Sequence, residues 1–160
     1  IQNVDTLRTN GIEIAGELSG FLLRGFDLNG SLTYTDSKII KDTRNPGLEG
    51  SIQPRIPDWR ATLVGLYRFS DALSANLSYR FSGRQHAALF NTTTTQYNDP
   101  NPNVYGAVSH YSVVDAKILY RIDKTWSTSL GVNNVGNFKY YVNPNPYPQR
   151  TFFVSVRADL

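Results

Sequence analysis

The residues in this 160-residue chain that could do chemistry are few: two histidines, His86 and His110, the aspartate Asp99, and a handful of arginines and tyrosines. There is no cysteine, which removes disulfides and thiolate metal sites. The two histidines flank one long polar stretch, and a metal centre needs several convergent ligands, so no metal or cofactor is expected. Asp99 sits among asparagines and prolines, but no graded series of acidic residues follows it. It reads as a turn former. The serines alternate with apolar residues and carry no nucleophile elbow, so catalysis has no support and no enzyme is expected. What remains is binding. Arg84, Gln85 and His86 enter one long connection and Arg55 leaves another, while Tyr97 and Tyr105 lie in the former. Positive groups gathered at one rim attract anions, and the tyrosines could stack on an aromatic ligand.

Most charges fall at alternate positions of long runs. Leu73, Ala75, Leu77, Tyr79, Phe81 and Gly83 alternate with Ser74, Asn76, Ser78, Arg80, Ser82 and Arg84. Successive side chains of a strand point to opposite faces, so one face is apolar and the other polar. About seven such strands can be drawn: Gly11 to Gly20, Phe26 to Ile39, Trp59 to Phe69, Leu73 to Arg84, Tyr111 to Ile122, Trp126 to Val135 and Thr151 to Leu160. In this register the apolar face is expected to carry no charge. The other face holds Arg60, Arg68, Arg80, Arg84, Lys117, Arg121 and Arg157 with Glu13, Glu17, Asp27, Asp115 and Asp159. Those charges read as a solvated lumen wall, or as partners for a plug. Short links near 23–25, 70–72 and 123–125 alternate with long ones over 40–58, 85–110 and 136–150.

This pattern predicts an all-β fold, an antiparallel transmembrane β-barrel whose apolar outside meets outer-membrane lipid. Mean hydropathy is −0.36 and no run suits a membrane helix, as expected when only alternate residues touch lipid. Aromatics at the run ends predict two interfacial girdles. Phe26, Tyr67, Phe69, Tyr120 and Trp126 form one; Tyr34, Trp59, Phe81 and Phe152, with Tyr140, form the other. The net charge of +3 is scattered singly, so no nucleic-acid partner is expected. Methionine is absent even at position 1, which reads as a processed chain or a fragment. A passive porin or small barrel is one alternative. A soluble β-sandwich or β-barrel carrier is another, and it would reverse the two faces.

The C-terminal third is more specific. Thr128-Ser129-Leu130-Gly131-Val132-Asn133-Asn134-Val135-Gly136-Asn137, then Tyr140-Tyr141, then Pro148-Gln149-Arg150-Thr151-Phe152, resembles the end of a TonB-dependent outer-membrane receptor. Asn10-Gly11-Ile12-Glu13-Ile14, Pro54-Arg55-Ile56-Pro57 before Trp59, and Tyr79-Arg80-Phe81-Ser82-Gly83-Arg84 resemble earlier segments of the same barrels. The resemblance covers nearly the whole chain. It implies that residues 1–160 are the C-terminal part of a barrel of about 22 strands, with the plug domain outside this chain. It further implies a bacterial outer-membrane location, active uptake of a ferric siderophore or similar metal chelate, and energy supplied by TonB through the plug. The closing strand would engage the outer-membrane assembly machinery. Such receptors usually end in an aromatic residue; here Leu160 stands at that place with outward parity.

Overall fold

The computed structural model describes residues 4–20, 23–97, 99, 104–105, 107–142 and 145–159. Seven long strands form one antiparallel sheet. They are β1 (Thr6–Ser19), β2 (Phe26–Lys41), β3 (Trp59–Arg68), β4 (Leu73–Ser82), β7 (Tyr111–Arg121), β8 (Trp126–Asn133) and β11 (Thr151–Ala158). Between them lie two-residue pairings, β5 (Phe90–Asn91) with β6 (Gln96–Tyr97) and β9 (Tyr141–Val142) with β10 (Asn145–Pro146). The sheet order is β1-β2-β3-β4-β7-β8-β11, so each long strand pairs with the next one in sequence. The seven strands do not close, and β1 and β11 each have one neighbour in the sheet.

The ladder register carries the apolar parity unbroken from strand to strand. Ile14 faces Leu32, which faces Ala61, which faces Phe81; Leu77 faces Gly65 on one side and Ala116 on the other; Ile118 faces Leu130, which faces Val154. A one-residue slip anywhere would have inverted a strand. The result is a single greasy surface on which no described residue packs: Ile12 is 67% exposed and Val154 70%. A soluble protein rarely leaves so extensive an apolar face open.

The turn ends of the hairpins follow from local chemistry. Asp123 Oδ1 accepts the amides of Thr125 and Trp126 at 2.8 and 2.7 Å, an Asx turn that reverses the chain in three residues. The Ser70 hydroxyl accepts the amides of Ala72 and Leu73 in the same way. Gly25 adopts φ +85° where an added Cβ would press on the Arg68 carbonyl oxygen, so only glycine fits there.

The other end departs from the expected boundaries. β1 starts at Thr6 rather than Gly11, and β2 runs to Lys41, so this hairpin projects past its neighbours, with a bulge at Thr6/Leu7. Its extension puts charges on the outward parity after all. Asn10 faces Asp36 and Arg8 faces Lys38, all beyond the cross-strand pair of Tyr34 and Trp59, whose rings meet at 4.8 Å. Below that aromatic pair the outward face stays uncharged on every strand. Alternation missed the early start of β1, because both faces there are wet, while the β2 end was expected at Ile39, two residues short of Lys41.

The buried residues gather at this same end, in the long connections. Ile39, Leu48, Ala107, Val108, Val113 and Tyr140 are the buried apolar groups. Residues 50–53 fold back on the β2 extension through Ile39 N to Ser51 O, Gly50 N to Ile39 O and Gln53 N to Ser37 O. Tyr140 was expected in the outer girdle; it is instead only 3% exposed, against the rings of Tyr111 and Tyr147. Burial raises its hydroxyl above the ordinary tyrosine value. Leu160 lies outside the described residues.

Gly131 on β8 gives a first test. It is paired with Phe153, whose ring lies over it so closely that a Cβ there would fall inside the ring. Gly131→Ala is expected to cost about 1–3 kcal/mol by overpacking, read as a shift in denaturation midpoint of the complete protein. No change would mean that the ring does not occupy that position.

Candidate functional site

The candidate ligand residues lie on the long connections, and the fold brings several of them together. His86 Nδ1 meets Asp99 Oδ2 at 2.7 Å, and Asp99 Oδ1 accepts the Ala87 amide at 2.9 Å. The His86 ring stacks on Tyr97 with centroids 3.7 Å apart and planes 10° from parallel. Phe90 contacts Tyr97 edge-on from the small β5–β6 hairpin. The Tyr97 hydroxyl oxygen accepts the Ile52 amide at 2.7 Å, and the Arg55 amide donates to the His86 carbonyl at 2.9 Å. Arg55 holds φ +65°, which a non-glycine residue keeps only when its surroundings impose it.

These bonds tie the 40–58 connection to the 85–110 connection. Gln85 Nε2 donates to the Ser109 carbonyl, and Ser109 exchanges bonds with Tyr141 through its amide and its hydroxyl. All three long connections are therefore linked into one cap. Within it, His86 (side chain 16% exposed), Tyr97 and Gln85 spend their polar groups on the loops themselves. The groups left toward solvent are different ones. The Arg84 guanidinium is 81% exposed and 3.9 Å from Asp99, Arg55 is exposed, and Tyr105 is 73% exposed. Nothing in the spacing distinguished holders from presenters, since that depends on the path of the loops.

Tyr97→Phe removes the acceptor of the Ile52 amide while keeping both ring contacts. The expected cost is about 1–2 kcal/mol of local loop stability, seen as faster proteolysis of the 40–58 connection in the folded protein. An unchanged cleavage rate would contradict the linkage.

A second cluster, on the polar face, holds the last long connection. Asp115 receives Arg80 Nε and Nη2 at 3.2 and 3.0 Å, and its other oxygen accepts the Asn134 amide at 2.7 Å. Asn134 is buried with φ +54° and directly follows β8. Its side-chain amide donates to the Phe138 carbonyl and accepts the Phe138 amide, both at 2.8 Å. Asn137, also at φ +54°, accepts the Arg150 amide at 3.0 Å. The Asn-Asn-x-Gly-Asn stretch thus works as a two-point staple. Asparagine suits both positions because it tolerates the left-handed conformation and bonds locally.

Other charges on that face divide into paired and unpaired. Arg68 pairs with Asp27 at 2.6 Å and Arg157 with Asp159 at 2.7 Å. Among the described residues, Glu13, Glu17, Arg60, Lys117 and Arg121 form no ion pair. The acidic ones lie on β1 and the basic ones on β3 and β7. Of the aromatic candidates, Phe26 faces Tyr67 and Tyr67 touches Phe69 edge-on at the turn end, while Tyr34 and Trp59 pair at the other end. Tyr120, Trp126, Phe81 and Phe152 occupy outward parity on β7, β8, β4 and β11.

An open antiparallel sheet with one greasy face, short turns at one end and a bonded cap of long loops at the other defines part of an outer-membrane barrel. The family model for the TonB-dependent receptor-like β-barrel matches residues 1–135, and the chain belongs to that family, one of outer-membrane receptors. The ferric-pyoverdine receptor PbuA of Pseudomonas sp. is 30% identical over 98% of this chain and 19% of its own length. Among solved structures, the ferripyoverdine receptor of the Pseudomonas aeruginosa outer membrane superposes with TM-score 0.71 at 23% identity, over 96% of this chain and 20% of that one. The ferric preacinetobactin receptor BauA of Acinetobacter baumannii superposes with TM-score 0.73 at 19% identity, over 96% and 22%. The chain spans about a fifth of the length of these relatives.

Proposed function

We propose that this chain is the C-terminal portion of a receptor that takes up a ferric siderophore or similar metal chelate across the outer membrane. The apolar face meets lipid, the short turns face the periplasm, and the looped cap faces outward. The plug domain, outside this chain, contacts the polar face and receives energy from TonB; Glu13, Glu17, Arg60, Lys117 and Arg121 are the charges available to it. β11 is the strand offered to the assembly machinery. The function is binding and gated transport, with no catalytic step. The observation that supports this best is the cap itself, a bonded loop assembly with Arg55, Arg84 and Tyr105 facing solvent above a barrel wall. Cationic and aromatic groups at an outer rim suit an anionic, ring-bearing chelate. His86 and Tyr97 serve as its frame rather than as ligand contacts.

The test is uptake of radio-iron-loaded siderophores by cells carrying the complete receptor, with and without TonB. Uptake that requires TonB and falls about tenfold or more at limiting ligand in an Arg55→Ala, Arg84→Ala double variant is expected. TonB-independent uptake would favour a passive porin. Full uptake by the double variant would remove these arginines from the site.

A further inference from the structure

A carboxylate buried without a counter-charge lies at the start of the first long connection, ahead of the Ile52 and Arg55 described above. Asp42 follows β2 directly and is 1% exposed. Its Oδ1 accepts the amides of Arg44 and Asn45, at 3.1 and 3.0 Å. Its Oδ2 is buried with no hydrogen-bond partner among the described residues. No lysine or arginine pairs with Asp42 among the described residues, and a carboxylate oxygen is not left dry and unpaired without compensation.

The chain then returns a second carboxylate to the same place. Residues 46–48 make one turn of 3-10 helix, Gly50 turns at φ +86°, and Glu49 Oε1 accepts the amide of Asp42 itself at 3.1 Å. The loop is fastened from both sides. Asp5 accepts the amide and hydroxyl of Thr43, which hold its carboxyl below the ordinary value, and residues 50–53 are bonded to β2. The pattern Asp42-Thr43-Arg44-Asn45-Pro46-Gly47-Leu48-Glu49 therefore closes an eight-residue loop with acidic side chains at its first and last positions.

We propose that this loop binds a hard divalent cation of the calcium class, with Asp42 Oδ2 and Glu49 as its charged ligands and main-chain carbonyls and water completing an all-oxygen shell. Calcium accepts that donor set and a flexible geometry, whereas magnesium demands a stricter one. No cluster of three acidic or histidine side chains exists among the described residues. Two carboxylates give a weak site, in the range of about 0.1–1 mM that suits calcium outside the cell. Bound cation would fix the 42–49 loop to the end of β2. Through Ile52 and Arg55 it would also steady the bonds to Tyr97 and His86. The inference does not rest on the uptake reading, because cation binding is measured without any chelate or TonB.

The experiment is calorimetric titration of the purified complete receptor with calcium alone, beside Asp42→Asn and Glu49→Gln variants. Asp42→Asn keeps an oxygen for the Arg44 and Asn45 amides while removing the charge. Expected is a saturable calcium heat with Kd near ~0.1–1 mM, weakened at least tenfold in each variant. Slower proteolysis of the 40–58 connection with calcium should occur in the unaltered receptor alone. Calcium binding unchanged in Asp42→Asn would overturn the assignment. So would an absence of saturable calcium heat in the unaltered receptor.

Discussion

Asp115→Ala in the complete receptor is expected to destabilise the β8–β11 hairpin by about 2–4 kcal/mol, because three charge-assisted bonds lose their common acceptor and the Asn134 amide is left buried. The lower half of that range is favoured by exposure: the Arg80 side chain is 38% exposed, so water recovers part of its solvation. The effect should be local. The 136–150 connection hangs from Asn134 and Asn137, so its amide protons should exchange faster while those of β2–β3 do not. Asp115→Asn, which keeps an oxygen for the Asn134 amide, should cost less than half as much. A double-variant cycle with Arg80→Ala separates the ion pair from the Asn134 bond. Equal costs for the Asn and Ala variants would show that the charge, rather than the amide bond, carries the effect.

The second large effect concerns the greasy face. Leu77→Arg places a charge at the middle of β4, with Gly65 and Ala116 beside it and no acidic neighbour on that face. A lipid-facing arginine at the bilayer midplane costs about 2–4 kcal/mol. Ser78→Arg, one residue on, points to the polar face and should cost under about 1 kcal/mol, within the range of ordinary exposed substitutions. The comparison is made by reversible denaturation of the receptor in lipid vesicles. In detergent the penalty should shrink. A soluble carrier would predict the same sign in both media, and a Ser78→Arg cost equal to that of Leu77→Arg would contradict the face assignment outright.

Much of this was legible without coordinates, for a reason that also marks where legibility stops. Where lipid and lumen differ, alternate residues must differ in chemistry, so runs such as Leu73 to Phe81 or Phe152 to Ala158 give parity and strand count together. The turn-side boundaries came within a residue or two because Asp123, Ser70 and Gly25 do their work locally. Past Tyr34 and Trp59 both faces meet water and the alternation stops, so the start of β1 at Thr6, with Arg8, was missed, while β2 was drawn to Ile39 and already carried Asp36 and Lys38 on the outward parity. The loops hid their roles for a different reason. His86 and Tyr97 were readable as candidate ligand contacts, but only the loop path shows the stack and the bonds to Asp99 and Ile52. Tyr140 looked like a girdle residue by composition and is buried by its neighbours' rings. Arg80, Asp115 and Asn134 could each be named in advance. Their meeting depends on a strand register and a left-handed residue that spacing does not encode.

The central claim is that one face of this sheet meets lipid and the other a lumen, and these 160 residues hold no cysteine to compete with labels placed among them. Single cysteines at positions 76 to 79 of the complete receptor in vesicles would carry a nitroxide, and collision rates with oxygen and with a water-soluble nickel chelate would be compared. Labels at Leu77 and Tyr79 should be oxygen-accessible and shielded from nickel, and labels at Asn76 and Ser78 should not be oxygen-accessible. A reversed alternation, or equal nickel access at all four positions, would contradict a membrane-facing apolar surface.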